Sequence, residues 1–414
     1  MLLILSAAQY SMIWRTMNIG KVWTAAAAVV PHGTGTGEGT ETPWYPFNFS
    51  ACLLLKDANI ILPEWLAYHY TILPLRRLIV GLDPSSLTDP RPILDLYRDL
   101  GMDISVWTND TFIFDGRWSH EKRNFLTPNS TDEDRFEFKR WRQACFYTEC
   151  LRQLKKENRT WTAVVDADEY VGFNYYDPNE GPPWWCTNRQ DQYPNVTQCE
   201  LEYVNDIRTK KHPRSKLPLL ETGVTAAAHI ASGVDFMYDA SEPACIVFSR
   251  ITVGAKESNP DDVKRGVPDG FDPMLFHTLR YRKREVLQNS LPGKSFVDVS
   301  RYDGRVVANP HKPIVRKCRN GPFVKNAEVS YRVYHYTGSI ESFLRPGYDS
   351  RGKATFEKRQ KYEVGGEDDT LRPWLARFVK LVGKETALEV TEKVRRHATQ
   401  EMQHLIEEAK KSKE

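Results

Sequence analysis

The segment WTAVVDADEY, residues 161–170, decides the fold. Its apolar run, residues 163–165, is typical of a buried strand, and the run ends directly in carboxylates. Because residues two apart in an extended chain face the same side, Asp166 and Asp168 are expected to lie side by side. Neighbouring carboxylates repel one another unless a cation or hydrogen bonds compensate, and oxygen ligands of this kind suit Mg²⁺ or Mn²⁺. The segment therefore predicts a divalent-metal site, with an acidic surface turn as the alternative.

The residues before this segment alternate between strand and helix patterns. We predict strands at 51–55, 77–82 and 104–107, and helices at 62–70, 92–100 and 133–156. Such alternation is typical of an α/β sheet, parallel and doubly wound, whose ligands bind beyond the carboxyl ends of the strands. The polar groups that follow those ends are Lys56, Asp57, Asp83, Asp166 and Asp168. We therefore expect them to share one edge of the sheet.

The residues after the segment contain fewer regular patterns. Residues 174–218 are rich in Pro, Trp and Tyr without a clear period, which predicts an inserted loop region. Further strands are predicted within 243–254 and at 329–336. Residues 371–410 predict a long amphipathic helical stretch with a break near Gly383.

These patterns divide the chain into three parts. Residues 1–50, rich in Gly, Thr and Pro, predict a leader or linker without fixed structure. Residues 51–345 form the main α/β domain, and residues 346–414 form a C-terminal helical extension. No segment reaches the ~18–20 apolar residues of a membrane span, so any membrane anchor is expected to be missing from this chain.

The net charge and the glycosylation sequons indicate which partners and which cell compartment the chain favours. The chain has 57 basic and 54 acidic residues and a net charge of +3, which gives no electrostatic case for nucleic acid as a partner. Five Asn-x-Ser/Thr sequons, against about two expected by chance, favour the secretory pathway. They begin at Asn48, Asn109, Asn129, Asn158 and Asn195.

The seven cysteines contain no Cys-x-x-Cys and fit no zinc pattern. Cys186 and Cys199 flank a short loop and are candidates for a disulfide. Cys145 and Cys150 fall in the helix predicted at 133–156, where they belong to the core or pair with something distant.

Several short motifs follow one another in a defined order. They are 53–59 (LLLKDAN), 64–65 (EW), 68–69 (YH), 83–86 (DPSS), 166–170 (DADEY), 335–336 (HY) and 339–343 (SIESF). In this order they resemble the nucleotide-sugar glycosyltransferases of GT-A fold, most closely the family 92 glycosyltransferases and the related family-2-like group. The likeness covers roughly residues 50 to 345. It departs from the family at the first turn, which is Lys-Asp-Ala-Asn here rather than Lys-Asn-Glu.

The resemblance implies a GT-A-like (Rossmann-like) fold, with a mixed, mostly parallel sheet flanked by helices. It implies an enzyme, a hexosyltransferase that moves a hexose from a nucleoside diphosphate sugar to a hydroxyl of a glycan or glycoconjugate. Such a protein is expected to be a glycoprotein of the Golgi lumen or membrane. Mn²⁺ or Mg²⁺ would neutralise the charge that develops on the leaving diphosphate.

The resemblance also implies roles for individual residues. The implied metal set is Asp166, Asp168 and His335, in which Asp168 holds the ion and Asp166 touches ribose or a metal-bound water. His311 and His277 are the alternatives to His335 as the third metal ligand.

Donor and acceptor contacts are implied as well. The residues expected to contact the donor are Lys56, Asp57, Asp83, Asp166 and Lys294. If the reaction inverts the anomeric centre, a carboxylate base must reach the acceptor hydroxyl. The candidates downstream of the metal motif are Asp235, Glu242 and Glu257, of which we name Glu257.

Two other functions fit the same residues. The first is a non-catalytic lumenal carbohydrate-binding or scaffold protein of the same fold, and the intact Asp166 and Asp168 argue against it. The second is another metal-dependent nucleotide enzyme, such as a nucleotidyltransferase. The lack of a Gly-rich phosphate loop near the first predicted strand argues against that enzyme.

Overall fold

The residues described by the computed structural model all belong to the unit that spans residues 47–414. The described residues are 49–108, 111–112, 130–174, 245–285, 293–304, 311, 318–319, 331–336, 352–361 and 364–411. Several predictions lie outside them: nearly all of the leader, most of the inserted loop region, the Cys186–Cys199 pair, the base candidates Asp235 and Glu242, and the motif at 339–343.

Strands and helices alternate in the described residues. The strands are β1 (Ser50–Leu55), β2 (Arg77–Leu82), β3 (Asp103–Trp107), β4 (Trp161–Val164), β5 (Glu169–Phe173), β6 (Cys245–Val253), β7 (Lys283–Glu285), β8 (Lys294–Asp298), β9 (Cys318–Arg319), β10 (Tyr331–Tyr336) and β11 (Val364–Glu367). The helices are α1 (Leu62–Ile72), α2 (Arg91–Asp99), α3 (Asp132–Lys156), α4 (Pro260–Lys264), α5 (His277–Arg280), α6 (Gly352–Gln360), α7 (Trp374–Val382), α8 (Lys384–Ala387) and α9 (Val394–Lys411), with a π-helical turn (Leu388–Lys393) before α9.

The sheet is mixed, and its N-terminal half is parallel. Its main path runs β11-β7-β6-β8-β4-β1-β2-β3. β1 is parallel to both β2 and β4, and β2 is parallel to β3. β8 lies antiparallel between β4 and β6, while β10 pairs parallel with β6 and antiparallel with β5. The predicted α/β class, a mixed and largely parallel sheet flanked by helices, is confirmed.

Helices cover both faces of the sheet. Because successive strand residues point to opposite sides, each strand contributes side chains to both buried layers. On one face, Cys52 and Val164 belong to the buried cluster that contains Phe146 of α3. On the other face, Leu53 and Ala163 belong to the larger cluster around α1 and the C-terminal helices. Parallel strands are therefore buried on both faces, as their continuous apolar sequences predict.

Two disulfides connect the elements of the sheet. Cys52 of β1 pairs with Cys150 of α3, 98 residues away, in agreement with the prediction that Cys150 is a core residue or a distant partner. Cys245 of β6 pairs with Cys318 of β9, the neighbouring parallel strand. Both bonds fix strands of the sheet rather than loops.

The C-terminal helices pack against the sheet through α1. The break predicted near Gly383 separates α7 from α8, and Gly383 has a φ of 85°, a conformation that favours glycine. The Arg395 guanidinium of α9 donates to the Glu64 carboxylate of α1 at 2.7 Å, and both side chains are buried. None of the helices in the described part of the chain has the length and hydropathy needed to cross a membrane.

Candidate functional site

The Asp166–Asp168 turn connects β4 to β5, and hydrogen bonds hold it from both sides. The indole N–H of Trp65, a fully buried residue of α1, donates to the carbonyl oxygens of Asp166 at 3.1 Å and Glu169 at 3.0 Å. The Glu169 carboxylate accepts the Asp166 backbone N–H at 3.0 Å. The two aspartates are therefore carried by a rigid turn rather than by a loose surface loop.

Two further residues of α1 hold the strand that follows the turn. The Tyr68 hydroxyl donates to the Val171 carbonyl at 2.7 Å. His69 accepts the Val171 N–H at Nε2 (3.4 Å), and its Nδ1–H donates to the Trp65 carbonyl at 2.9 Å. Burial lowers the pKa of His69 to about 3, so the ring is neutral. The Glu-Trp and Tyr-His motifs thus serve to position the carboxylate turn.

Asp168 lies beside His335 at the end of β10. The Asp168 Oδ2 and His335 Nε2 atoms are 3.3 Å apart, and each side chain is about one-fifth exposed. The backbone brings them together, since Tyr336 N–H donates to the Asp168 carbonyl at 2.8 Å and His335 is paired with Glu169 in the β5–β10 register. The sequence separates these residues, and only the sheet makes them neighbours.

This pair is compatible with a divalent cation. Two adjacent ligands of an octahedral Mg²⁺ are about 3 Å apart, close to the separation of these two atoms. Within the described residues, no three His, Cys, Asp or Glu side chains converge on one point. One carboxylate and one imidazole, with substrate phosphates and water as the other ligands, is a donor set that Mg²⁺ or Mn²⁺ accepts.

Asp166 has a different partner. Its Oδ2 atom lies 2.6 Å from Nζ of Lys294, whose ammonium also lies 3.2 Å from Glu169 Oε2. Arg250 completes the group at 3.3 Å from Glu169 Oε1. Partial burial by itself raises the pKa of Asp166, but the Lys294 ammonium outweighs this effect and brings the pKa down to about 2. The carboxylate is therefore ionised and paired.

The other two histidine candidates have separate environments. His311 donates from Nδ1 to the Gly293 carbonyl at 2.7 Å. Burial, with the nearby Lys294 charge, lowers the pKa of His311 to about 4. His277 is buried in α5, where its ring packs against Tyr281 at a centroid distance of 5.8 Å and its backbone N–H donates to Glu64. His335, the first choice among the three, is in contact with Asp168.

Three of the predicted donor contacts follow the ends of β1 and β2. Lys56 is partly exposed directly after β1. Asp57, with a φ of 49°, accepts the backbone N–H groups of Leu87 at 2.6 Å and Thr88 at 3.0 Å. The Asp57 carboxylate therefore organises the loop that follows β2.

Asp83 forms an ion pair with Arg142 of α3 at 2.6 Å and accepts the Ser85 hydroxyl at 2.6 Å. Burial raises the pKa of Asp83, and the bonds from Ser85 and Arg142 more than reverse that shift. A cavity of about 360 Å³ opens at this edge. It is lined by residues 82–84, 86–89, 91 and 108.

Glu257, the named base candidate, lies in the segment after β6. Its carboxylate pairs with the Arg280 guanidinium at the end of α5. Thr252 of β6 is in register with His335 of β10. Because the two strands are parallel, both end at the same edge of the sheet.

The structure thus brings four of the sequence-predicted residues into two adjacent pairs: Asp168 with His335, and Asp166 with Lys294. Sequence reasoning missed the roles of Glu169, Arg250 and Trp65. For Trp65 the available signal was the Glu64-Trp65 pair at the start of the helix predicted at 62–70. No protein-family model matches this chain, and no curated protein matches it significantly.

Proposed function

We propose that the protein is a metal-dependent glycosyltransferase that moves a hexose from a nucleoside diphosphate sugar to a glycan or glycoconjugate hydroxyl. The observation that carries the proposal is the Asp168–His335 pair, 3.3 Å apart, at the carboxyl edge of a largely parallel sheet. Ligands of open α/β sheets bind at that edge. The proposed fold is GT-A-like, in keeping with the order of the sequence motifs.

Asp168 and His335 are the residues that would hold Mn²⁺ or Mg²⁺. When bound, such an ion supplies positive charge to the diphosphate as the glycosidic bond breaks. Asp168 is held in place by the rigid turn, and His335 by its position in β10. These hydrogen bonds and the strand pairing keep the two groups oriented before any ligand arrives.

The cavity beside Asp83 is suited to the nucleoside part of the donor. It lies at the ends of β2 and β3, and its lining residues include Thr88, Asp89 and Arg91. Hydroxyl, carboxylate and guanidinium groups together can meet the donors and acceptors of a base and a ribose. Lys56 lies at the adjacent end of β1, where a cation would face the phosphates.

Glu257 remains the candidate base for an inverting transfer. It follows β6, whose end lies beside that of β10. To accept a proton from the acceptor hydroxyl, its carboxylate would have to turn from Arg280 toward the sugar. The two disulfides support a protein made in an oxidising compartment, which agrees with lumenal glycosylation.

Metal-dependent binding of a nucleoside diphosphate tests the proposal. The melting temperature of the chain is measured with uridine or guanosine diphosphate, with and without Mn²⁺. We expect stabilisation that requires the metal, and its loss in Asp168→Asn and His335→Gln. Asp95→Asn, an exposed carboxylate of α2 paired with Arg98, is the matched control and should behave as the wild type.

Hydrolysis of donor sugars without acceptor then separates an enzyme from a carbohydrate-binding protein of the same fold. A panel of nucleotide sugars is incubated with wild-type and Asp168→Asn chains, and the released diphosphate is measured. Release by the wild type alone supports the transferase. Stabilisation by the nucleotide that needs no metal, or equal release by both chains, contradicts the proposal.

A further inference from the structure

The pairing of Lys294 with Asp166 gives the two aspartates different tasks. Asp166 Oδ2 is 2.6 Å from the Lys294 ammonium, whereas Asp168 Oδ2 faces the imidazole of His335. A carboxylate oxygen bound to a buried ammonium is not available to a metal ion without breaking a charge-assisted hydrogen bond. The two carboxylates of the motif are therefore not equivalent.

Lys294 is built into the protein rather than presented to a ligand. Its side chain is 1% exposed, and the Glu169 carboxylate that holds it from the other side is fully buried. Asp166 by contrast is 40% exposed. A ligand can therefore reach the free side of Asp166 but cannot reach Lys294.

We call the ion-paired side chains of Asp166, Glu169, Lys294 and Arg250 the inner group, and their charges cancel. Asp166 and Glu169 contribute two negative charges, and Lys294 and Arg250 contribute two positive charges. The neighbouring Tyr147 hydroxyl, 3.5 Å from Asp166 Oδ1, adds no charge, since a phenol is neutral near pH 7. Asp168 lies outside this group, and its Oδ2 atom is 3.3 Å from Nε2 of His335.

We propose that Lys294 is a positioning residue that withholds the Asp166 carboxylate from the metal ion that the proposed function assigns to Asp168 and His335. This inference deepens the proposed function and rests on it. Lys294 acts by fixing the orientation of the Asp166 carboxylate and by cancelling its charge.

Binding of Mn²⁺ alone, measured by the electron paramagnetic resonance of the free ion, tests this role. Lys294→Met adds one uncompensated negative charge and releases an Asp166 oxygen, so Mn²⁺ should bind about tenfold more tightly. Lys294→Arg keeps the charge and should bind as the wild type does. A merely structural role for Lys294 predicts no gain in affinity from any substitution.

The double variant Asp166→Asn/Lys294→Met is the matched control. It removes one charge of each sign, so the inner group stays neutral. If Asp166 is not a ligand, the double variant binds Mn²⁺ within about threefold of the wild type. It also serves if Lys294→Met fails to fold, because it leaves no unpaired Asp166 charge.

The outcomes separate the two proposals. Wild-type chain that binds no Mn²⁺ overturns the proposed function itself. Wild-type binding that disappears in Asp166→Asn/Lys294→Met shows that Asp166 is a metal ligand and overturns the inference while the transferase proposal stands. Unchanged or weaker binding in folded Lys294→Met contradicts the role of Lys294 in the same way.

Discussion

Replacing Trp65 with Phe tests whether α1 positions the carboxylate turn. The Trp65 indole N–H is shared between the carbonyl oxygens of Asp166 and Glu169, at 3.1 and 3.0 Å. Phenylalanine keeps an aromatic ring against His69, whose ring centroid lies 4.3 Å away, but has no donor. The substitution therefore removes the hydrogen bonds while retaining most of the packing.

The expected loss of stability follows from these contacts. A buried hydrogen bond whose acceptor is left unpaired costs about 1–3 kcal/mol. The lower part of that range applies to Asp166, because its carbonyl still accepts the Glu169 N–H at 3.1 Å. The smaller ring leaves a small cavity that adds about 1 kcal/mol. We expect the free energy of unfolding to fall by about 2–3 kcal/mol.

Trp374→Phe provides a matched control. Trp374 is equally buried, and its indole N–H donates to the Thr278 hydroxyl at 2.8 Å, in contact with α5 rather than with the turn. Urea unfolding should show a similar loss of stability for both variants. Mn²⁺-dependent stabilisation by a nucleoside diphosphate should fall in Trp65→Phe and persist in Trp374→Phe. Equal effects of both variants on ligand binding would refute the positioning role of Trp65.

Two further predictions concern residues packed around α1. Arg395→Met leaves the fully buried Glu64 carboxylate without its ion pair at 2.7 Å, so the free energy of unfolding in urea should fall by about 3 kcal/mol. The Arg396 side chain is 51% exposed, so Arg396→Met should cost less than about 1 kcal/mol. Equal losses in the two variants would contradict this assignment. His69 is neutral in the folded chain, with a pKa of about 3 against 6.5 when unfolded, so the unfolded state takes up the proton first as pH falls. Wild-type stability should therefore drop relative to His69→Gln by about 1.4 kcal/mol per pH unit as pH falls from 6.5 to 3, and parallel pH profiles of the two chains would show that His69 titrates normally.

Local patterns were sufficient for most of the described elements. The prediction at 77–82 coincides with β2 (Arg77–Leu82), and the strands predicted at 51–55 and 104–107 each begin one residue late. The helical break near Gly383 was predictable because only glycine adopts its φ of 85° at little cost. These features depend on short-range sterics and on the period of apolar residues, both of which the sequence displays directly.

Pairings between distant strands were not predictable in the same way. The antiparallel insertion of β8 between β4 and β6 follows from hydrogen-bond partners that no local pattern specifies. The insertion brings Lys294, the first residue of β8, to Asp166 across 128 residues of sequence. The sequence predicted a donor contact for Lys294, whereas its ammonium lies buried between two carboxylates.

The sequence by itself determined the α/β alternation and the position of two aspartates at the end of a buried strand, because periodicity and residue type are local properties. Tertiary structure alone decided which cation or imidazole each carboxylate meets. Asp168 meets His335 through the β5–β10 pairing, and Asp166 meets Lys294 through the β4–β8 pairing. Side chains so far apart in sequence become neighbours only when the sheet forms. The free energy that selects those strand pairings comes from packing of the whole core.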